Sequence, residues 1–159
     1  MIRIVFDCLR APYDFANILQ VALSVSGFCE IHVTGNSLHH DHPKIVGKVG
    51  SWSSKIRKNG MPRLPIYYYD SLEECVTKLR KNGIRLIGTS PDAQKSFYDL
   101  DLSREDCAIV FGTESSGLSR YKASLMDKMV RIPMSKELDF MTLSVVVPIV
   151  VYEAFRQQN

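Results

Sequence analysis

The sequence predicts an α/β fold in which a mostly parallel sheet carries helices on both faces. Short apolar segments rich in β-branched residues alternate with segments whose apolar residues recur at helical spacing. A strand followed by a helix, several times over, is the pattern of parallel sheets. The chain has 159 residues, of which 45% are hydrophobic and 23% charged. This is the size and composition of one globular domain, to which we assign residues 1–159.

Six apolar runs predict the strands, and three helices are predicted among and after them. The first helix covers 15–25 and ends before Gly27. The second begins with a capping box of Ser71 and Glu74 and ends before Gly83. The third covers 142–156. The predicted strands are 2–6, 30–33, 64–69, 84–88, 107–111 and 129–132.

The last predicted helix contains Pro148 and is almost wholly apolar from Leu143 to Val151. An interior proline costs about 3 kcal/mol in an isolated helix. The helix therefore either begins after Thr142 or bends at the proline. Its apolar content predicts burial on most sides. Either it is the core helix of a monomer, or one side packs on the sheet and another on a second subunit.

Charge, cysteine content and the N-terminal residues exclude some classes of protein. The formal charge of +3 is too small to indicate nucleic-acid binding by itself, so the distribution of charge matters more. The four cysteines form no C-x-x-C pair, which fits reduced thiols and a cytoplasmic protein. Asp7, Arg10 and Asp14 near the N-terminus exclude a signal peptide, and no uncharged run reaches membrane-spanning length.

The segment IVFGTESSG, residues 109–117, predicts a ligand-binding loop. An apolar strand runs directly into Gly112, Glu114 and Gly117. Glycine lets backbone approach a ligand closely, and parallel sheets bind ligands at the carboxyl ends of their strands. A tight turn with a solvated glutamate is the alternative interpretation.

A basic segment without any carboxylate extends from residue 42 to residue 69. Such a segment attracts phosphates, and Trp52 within it is a candidate for stacking on a base. Its glycines and serines predict a mobile loop, and a solvated basic loop without function is the alternative. The candidate RNA-binding residues are Lys44, Lys48, Trp52, Lys55, Arg57, Lys58 and Arg63.

A second polar cluster, His39, His40, Asp41 and His42, has the residue types of a metal site. Adjacent ligands rarely point at one ion, and no distant Cys/His pair completes a tetrahedral set. We therefore expect no metal.

Several motifs resemble the SpoU branch of the SPOUT RNA methyltransferases, whose members include the TrmH-like enzymes. FGTESSGLS, then VRIPM and TLSVVVPIVVYEAFRQ, look like motifs 2 and 3 of that family. PKIVGKVGSWSSK and LPIYYYDSLEECVTKLRKNGIRLIGTS resemble its middle section, so the resemblance covers most of the chain. It implies methyl transfer from S-adenosylmethionine to a ribose 2′-hydroxyl of RNA, a homodimer formed through the last helix, and a C-terminal trefoil knot. The chain is short, like small tRNA-directed members, which favours tRNA over rRNA.

The resemblance also implies which residues hold the cofactor. They lie in the loops that match the family's knot, after the fourth, fifth and sixth predicted strands. The implied cofactor-binding residues are Thr89, Ser90, Gly112, Glu114, Ile132, Met134, Leu143 and Ser144.

Motif 1 departs from the family pattern. Alignment on Gly27 places Phe15 and Val21 where the family has an Asn and a catalytic Arg, and the motif 3 Asn falls at Thr142. The implied catalytic residues are therefore Glu114, which is kept, Thr142, and Arg10 as a substitute cation; a plain surface arginine is the alternative for Arg10. Three interpretations follow: an RNA 2′-O-methyltransferase, a catalytically inactive SpoU-like protein that binds RNA or cofactor, and a different nucleotide-binding α/β protein.

Overall fold

The structure is a computed structural model that describes residues 1–103 and 106–159. Within them, seven strands form one sheet whose pairings are parallel, which confirms the predicted fold class. The strands are β1 (Ile2–Asp7), β2 (Cys29–Thr34), β3 (Ile66–Tyr69), β4 (Arg85–Thr89), β5 (Lys95–Ser96), β6 (Cys107–Phe111) and β7 (Lys128–Arg131). Their order across the sheet is β3-β2-β1-β6-β4-β7-β5. The trefoil knot stays a prediction.

The three predicted helices are present with shifted ends, and three further ones were not predicted. The first begins earlier than expected because Pro12, with its fixed φ, occupies the first turn. In the described residues the helices are α1 (Pro12–Ser24), α2 (Pro43–Trp52), α3 (Ser54–Asn59), α4 (Leu72–Lys81), α5 (Arg120–Ser124) and α6 (Leu143–Gln158). None of them is both long and apolar enough to cross a membrane.

Helices pack on both faces of the sheet, as predicted. Successive side chains of a strand point to opposite faces, so β1 serves two cores. Phe6 joins the core under α1, α2 and α6, where its ring stacks on that of Phe111 at 5.4 Å. Val5 joins the core under α4, with Leu72 and Val76. The carboxyl ends of the central strands are therefore held from both sides.

The basic segment is helical, so the prediction of a mobile loop is wrong. Ile45 and Val49 lie one helical turn apart in α2 and are buried in the core that α1 shares. The His42 side chain accepts a hydrogen bond from the Lys44 N–H, and Ser53 Oγ accepts one from the Ile56 N–H. These two caps fix where α2 and α3 begin.

The last helix begins at Leu143, with Thr142 as its N-terminal cap residue and Pro148 inside it. Val147, Val150, Val151 and Ala154 are buried against the rest of the chain. The opposite side is not covered: Val145 is 48% exposed, Tyr152 49% and Phe155 36%. Burial on most sides is thus not achieved within one chain.

A tight turn follows β6, and Gly112 makes it sterically feasible. The Thr113 and Gly117 N–H groups donate to each other's carbonyls at 3.2 and 3.0 Å. A Cβ atom on Gly112 would lie 1.9 Å from the Gly117 carbonyl carbon and 2.2 Å from the Leu118 nitrogen. Both are backbone atoms, which cannot move aside as a flexible side chain can. Gly112 is therefore required by packing within the protein itself.

We predict that Gly112→Ala lowers the free energy of unfolding by about 2 to 4 kcal/mol, the cost of forcing an atom into closely packed backbone. Gly47→Ala is the control. Gly47 lies in α2, and a Cβ atom at this position would have no neighbouring atom within 4 Å. Alanine should therefore raise the free energy of unfolding by about 0.5 to 1 kcal/mol. Urea unfolding followed by circular dichroism measures both. Equal unfolding midpoints for Gly112→Ala and the wild type would contradict the packing argument.

Candidate active site

A cleft of about 390 Å³ lies where β4, β6 and β7 end and α6 begins. This is the position at which open parallel sheets bind ligands, and the volume lies within the range of small-molecule pockets. Four loop segments form its walls. They are Thr89 to Asp92 after β4, Phe111 to Leu118 after β6, Ile132 and Met134 after β7, and the residues from Asp139 to Val146.

Glu114 fastens the loop after β6 to the turn between β1 and α1. Its Oε1 atom accepts hydrogen bonds from the backbone N–H groups of Arg10 at 2.8 Å and Ala11 at 2.9 Å. Bonds from N–H groups to an ionised carboxylate are stronger than neutral ones. The carboxylate also lies next to the first turn of α1, where the helix dipole favours negative charge. Glu114 thus holds two walls of the site together.

A buried ion pair fixes the segment after this loop. Asp7, at the end of β1, is 2% exposed, and its two oxygens accept from Lys122 Nζ at 2.9 and 2.7 Å. The hydrogen bond to Asp7 raises the pKa of Lys122 above its ordinary value. The lysine is therefore charged at neutral pH, and the ion pair ties α5 to β1.

The cleft combines an apolar wall with hydroxyl and carboxylate groups. Ile132, Met134, Leu143 and Val146 supply the apolar surface. Thr89 Oγ1 is already engaged, since it donates to the Val110 carbonyl at 3.1 Å. Such a mixture suits a ligand that has apolar and charged parts.

The structure brings most of the predicted site residues together. Thr142 lines the cleft, as do all the predicted cofactor-binding residues except Ser144, whose Oγ lies 3.0 Å from Thr142 Oγ1. Their role in binding stays a prediction. Those that line the cleft are Thr89, Ser90, Gly112, Glu114, Ile132, Met134 and Leu143.

In the structure, the two residues that the alignment places at the Asn and Arg of motif 1 do not line the cleft. Phe15 is fully buried in the core and Val21 packs against the same core, so neither lines the cleft. Arg10 is exposed and its backbone N–H binds Glu114, but its side chain is not part of the cleft wall. Asp14 does line the cleft, and sequence reasoning missed it. Because each residue of a helix advances the direction by about 100°, the aligned position and its neighbour face different surroundings.

The basic segment forms an exposed surface beside this site. Its six cations (Lys44, Lys48, Lys55, Arg57, Lys58 and Arg63) are all exposed. Lys48 Nζ lies 5.8 Å from the ring centre of Tyr13 and 5.5 Å from that of Trp52. Tyr13 is 61% exposed and Trp52 37%. Tyr13 immediately precedes Asp14, so the first turn of α1 adjoins both the basic surface and the cleft.

The histidine cluster packs with an aromatic side chain of the edge strand. His40 Nδ1 lies 2.9 Å from the hydroxyl oxygen of Tyr68, and the rings of His39 and Tyr68 stack at 4.6 Å. His39 Nδ1 is hydrogen-bonded to Asp41. Among the residues that the structure describes, no group of three or more His, Cys, Asp and Glu is placed to hold a metal ion.

Comparison with known proteins finds proteins named as methyltransferases among both the sequence relatives and the solved structures. A 23S rRNA (guanosine-2′-O-)-methyltransferase, RlmB, from Xanthomonas axonopodis is 34% identical over 96 residues, which are 60% of this chain and 38% of RlmB. The Bacillus subtilis protein named "Putative tRNA (cytidine(34)-2′-O)-methyltransferase" is 39% identical over 98 residues, 59% of each chain. The SpoU methyltransferase AviRb of Streptomyces viridochromogenes, solved with AdoMet, has a TM-score of 0.78 at 24% identity, over 98% of this chain and 60% of AviRb.

The chain spans 38% to 60% of the lengths of these three proteins. The likeness to AviRb shows a shared fold. The SpoU rRNA methylase family matches residues 1–152 of the chain. That range contains the sheet, the loop held by Glu114 and the start of α6, so this chain belongs to the SpoU rRNA methylase family.

Proposed function

We propose that this protein is an S-adenosylmethionine-dependent RNA ribose 2′-O-methyltransferase whose substrate is a tRNA. The observation that carries the proposal is the cleft, whose walls are formed by the same loops that match the SpoU motifs. The exposed basic surface, which contacts α1 through Lys48 and Tyr13, supports RNA as the second ligand.

The residues of the cleft fit S-adenosylmethionine chemically. Ile132, Met134, Leu143 and Val146 form an apolar surface for a nucleoside. Carboxylates on other walls complement a sulfonium and an α-amino group; they belong to Asp92, Glu114 and Asp139. The bound cofactor would supply an activated methyl group. The protein would hold it, exclude water and place the ribose hydroxyl in line with it.

The three catalytic residues that the family resemblance implies have different roles in this proposal. Glu114 is a positioning residue, because its carboxylate holds the turn that carries Arg10. Thr142 presents a hydroxyl at the cleft. Arg10 is exposed and lies outside the cleft wall, so its cation would have to turn toward the bound ribose to stabilise the developing oxyanion. Arg10 has no acceptor atom, and the Thr142 hydroxyl is a very weak base. Glu114 Oε1 is engaged by two backbone N–H groups, which give that carboxylate a structural role.

The proposal of tRNA as substrate rests on how much of each relative's length the likeness covers. The Bacillus subtilis relative named for cytidine 34 of tRNA has 59% of its length covered at 39% identity. The rRNA-directed RlmB from Xanthomonas axonopodis has 38% covered at 34% identity. The basic surface binds phosphates of either RNA, so it does not separate the two.

We also propose a homodimer formed through α6 and α1. The uncovered side of α6 carries Val145, Tyr152 and Phe155, and α1 lies beside it through a 2.8 Å contact of Ser24 Oγ with Tyr152 Oη. Exposed apolar patches of this kind mark interfaces. A second copy would bury the side that the first leaves open.

The purified protein should transfer the methyl group of labelled S-adenosylmethionine to tRNA. Digestion of the product and mass spectrometry should give a 2′-O-methylnucleoside. Calorimetry with the demethylated cofactor should show a dissociation constant between about 1 μM and 1 mM, or about −8 to −4 kcal/mol. The rRNA of the same cells is the matched comparison.

The outcomes separate the alternatives. Methylation of rRNA and not tRNA would overturn the choice of substrate. Cofactor binding without methylation of either RNA would identify an inactive SpoU-like binding protein. Absence of cofactor binding by folded protein would overturn the cofactor site.

The triple variant Lys55→Glu, Arg57→Glu and Lys58→Glu should bind tRNA more weakly than the wild type. Each lost phosphate contact should reduce the slope of log affinity against log salt by about 0.7 to 0.9. A matched control compares the single variants Lys58→Glu and Lys81→Glu. Lys81 is also exposed but lies on α4, across the sheet. Filter binding at several salt concentrations measures the slopes. Equal slopes for the triple variant and wild type would show that the basic segment does not contact RNA.

Replacing Val145 and Tyr152 together by Asp should convert the dimer to monomer, because each partner would bury charge at the interface. Both side chains are about half exposed in one chain, so its own core should survive. Tyr121→Asp, on α5, is the control, since Tyr121 is 61% exposed. Light scattering gives the mass and circular dichroism checks the fold. A wild type that is monomeric at micromolar concentration would contradict the proposed dimer.

A further inference from the structure

The methyl-transfer reaction requires a group that accepts the proton of the ribose 2′-hydroxyl. Four carboxylates line the described part of the cleft: Asp14, Asp92, Glu114 and Asp139. Glu114 is committed to the N–H groups of Arg10 and Ala11 through Oε1. Asp92 and Asp139 are exposed on the loops after β4 and before α6. Asp14 is half-buried, and among the described residues it is the one that α1 contributes to the cleft wall.

The position of Asp14 places it between the two proposed ligands. Tyr13, the preceding residue, carries the contact with Lys48 that joins α1 to the basic surface. Asp14 itself lines the cleft formed by the motif loops. RNA bound over Lys48 and Trp52 would therefore bring its ribose to the cleft on the side of Asp14.

The turn that carries Asp14 is held rigidly. Pro12 fixes φ at the start of α1, and the Glu114 carboxylate binds the backbone just before it. Phe15, the next residue, is fully buried in the core and prevents the helix from turning. A proton acceptor must be fixed relative to the reacting atoms, and this anchoring meets that requirement.

We propose that Asp14 is the catalytic base of methyl transfer, an inference that rests on the function proposed above. The ribose 2′-oxygen bonds to the methyl carbon as the carbon–sulfur bond breaks and the electron pair stays on sulfur. The 2′-hydroxyl proton passes to an oxygen of the Asp14 carboxylate, and from there to solvent. The products are the 2′-O-methylated RNA, the neutral thioether cofactor product and the released proton.

The test compares Asp14→Asn with Asp14→Glu in the full-length protein. Asparagine has nearly the same shape but does not accept the proton, so single-turnover methylation should fall about 100- to 10,000-fold. Glutamate keeps a carboxylate and should recover part of that loss. Affinity for the demethylated cofactor and for tRNA, measured by calorimetry and filter binding, should stay within about threefold of wild type. The control is Asp99→Asn, an exposed carboxylate outside the cleft, whose rate should equal that of the wild type.

Binding and fold measurements distinguish a base from a structural residue. Asp14→Asn should lose rate while it keeps its affinity for cofactor and tRNA and its circular dichroism. A variant that is merely misfolded would lose all of these together.

Several results would overturn the assignment. Methylation by Asp14→Asn within threefold of wild type would show that Asp14 is not the base. Loss of cofactor binding in Asp14→Asn, with the fold intact, would make Asp14 a binding residue instead. A wild type that binds the cofactor but methylates neither tRNA nor rRNA would overturn the proposed function, and the role of Asp14 with it.

Discussion

The site depends on one carboxylate oxygen, Oε1 of Glu114, that joins two parts of the chain more than 100 residues apart. Its two N–H donors belong to the turn just before α1, and the carboxylate belongs to the loop after β6. That bridge joins the wall that carries Asp14 to the wall that carries Gly112. The negative charge near the N-terminus of α1 adds a favourable dipole interaction. A family motif residue thus acts here by building the cleft.

Two further constraints hold the same loop from other directions. Gly112 lets the backbone of Gly117 and Leu118 pack directly against the end of β6. Beyond the loop, the ion pair of Lys122 with buried Asp7 ties α5 to β1. Removing one partner of a buried pair leaves an uncompensated charge, which costs about 3 to 5 kcal/mol. The loop is therefore fixed at its beginning, in its middle and after its end, as preorganised binding of a cofactor requires.

Segments with a strong apolar pattern were sufficient to predict most of the sheet. Segments with a weak apolar pattern were not recognised as strands or helices. The segment CAIVF of β6 is buried throughout and reads as a strand, whereas β5 has two residues and no apolar run. The glycines and cations of α2 concealed the Ile45 and Val49 pair that buries it. In the site, the loop residues were found through contiguous motifs. Asp14 was missed because counting back from Gly27 chose Phe15, and one residue on a helix separates the core from the cleft.

The first turn of α1 connects the parts of the molecule that a methyltransferase must bring together. Three successive residues serve three surroundings: Tyr13 contacts Lys48 on the basic surface, Asp14 lines the cleft, and Phe15 enters the core beneath α6. Rotation by about 100° per residue makes this division geometrically necessary once Phe15 is buried. Because the core fixes Phe15, it also fixes the angle between the basic surface and the cleft. Packing in the hydrophobic core therefore determines how the proposed substrate and the proposed cofactor would meet.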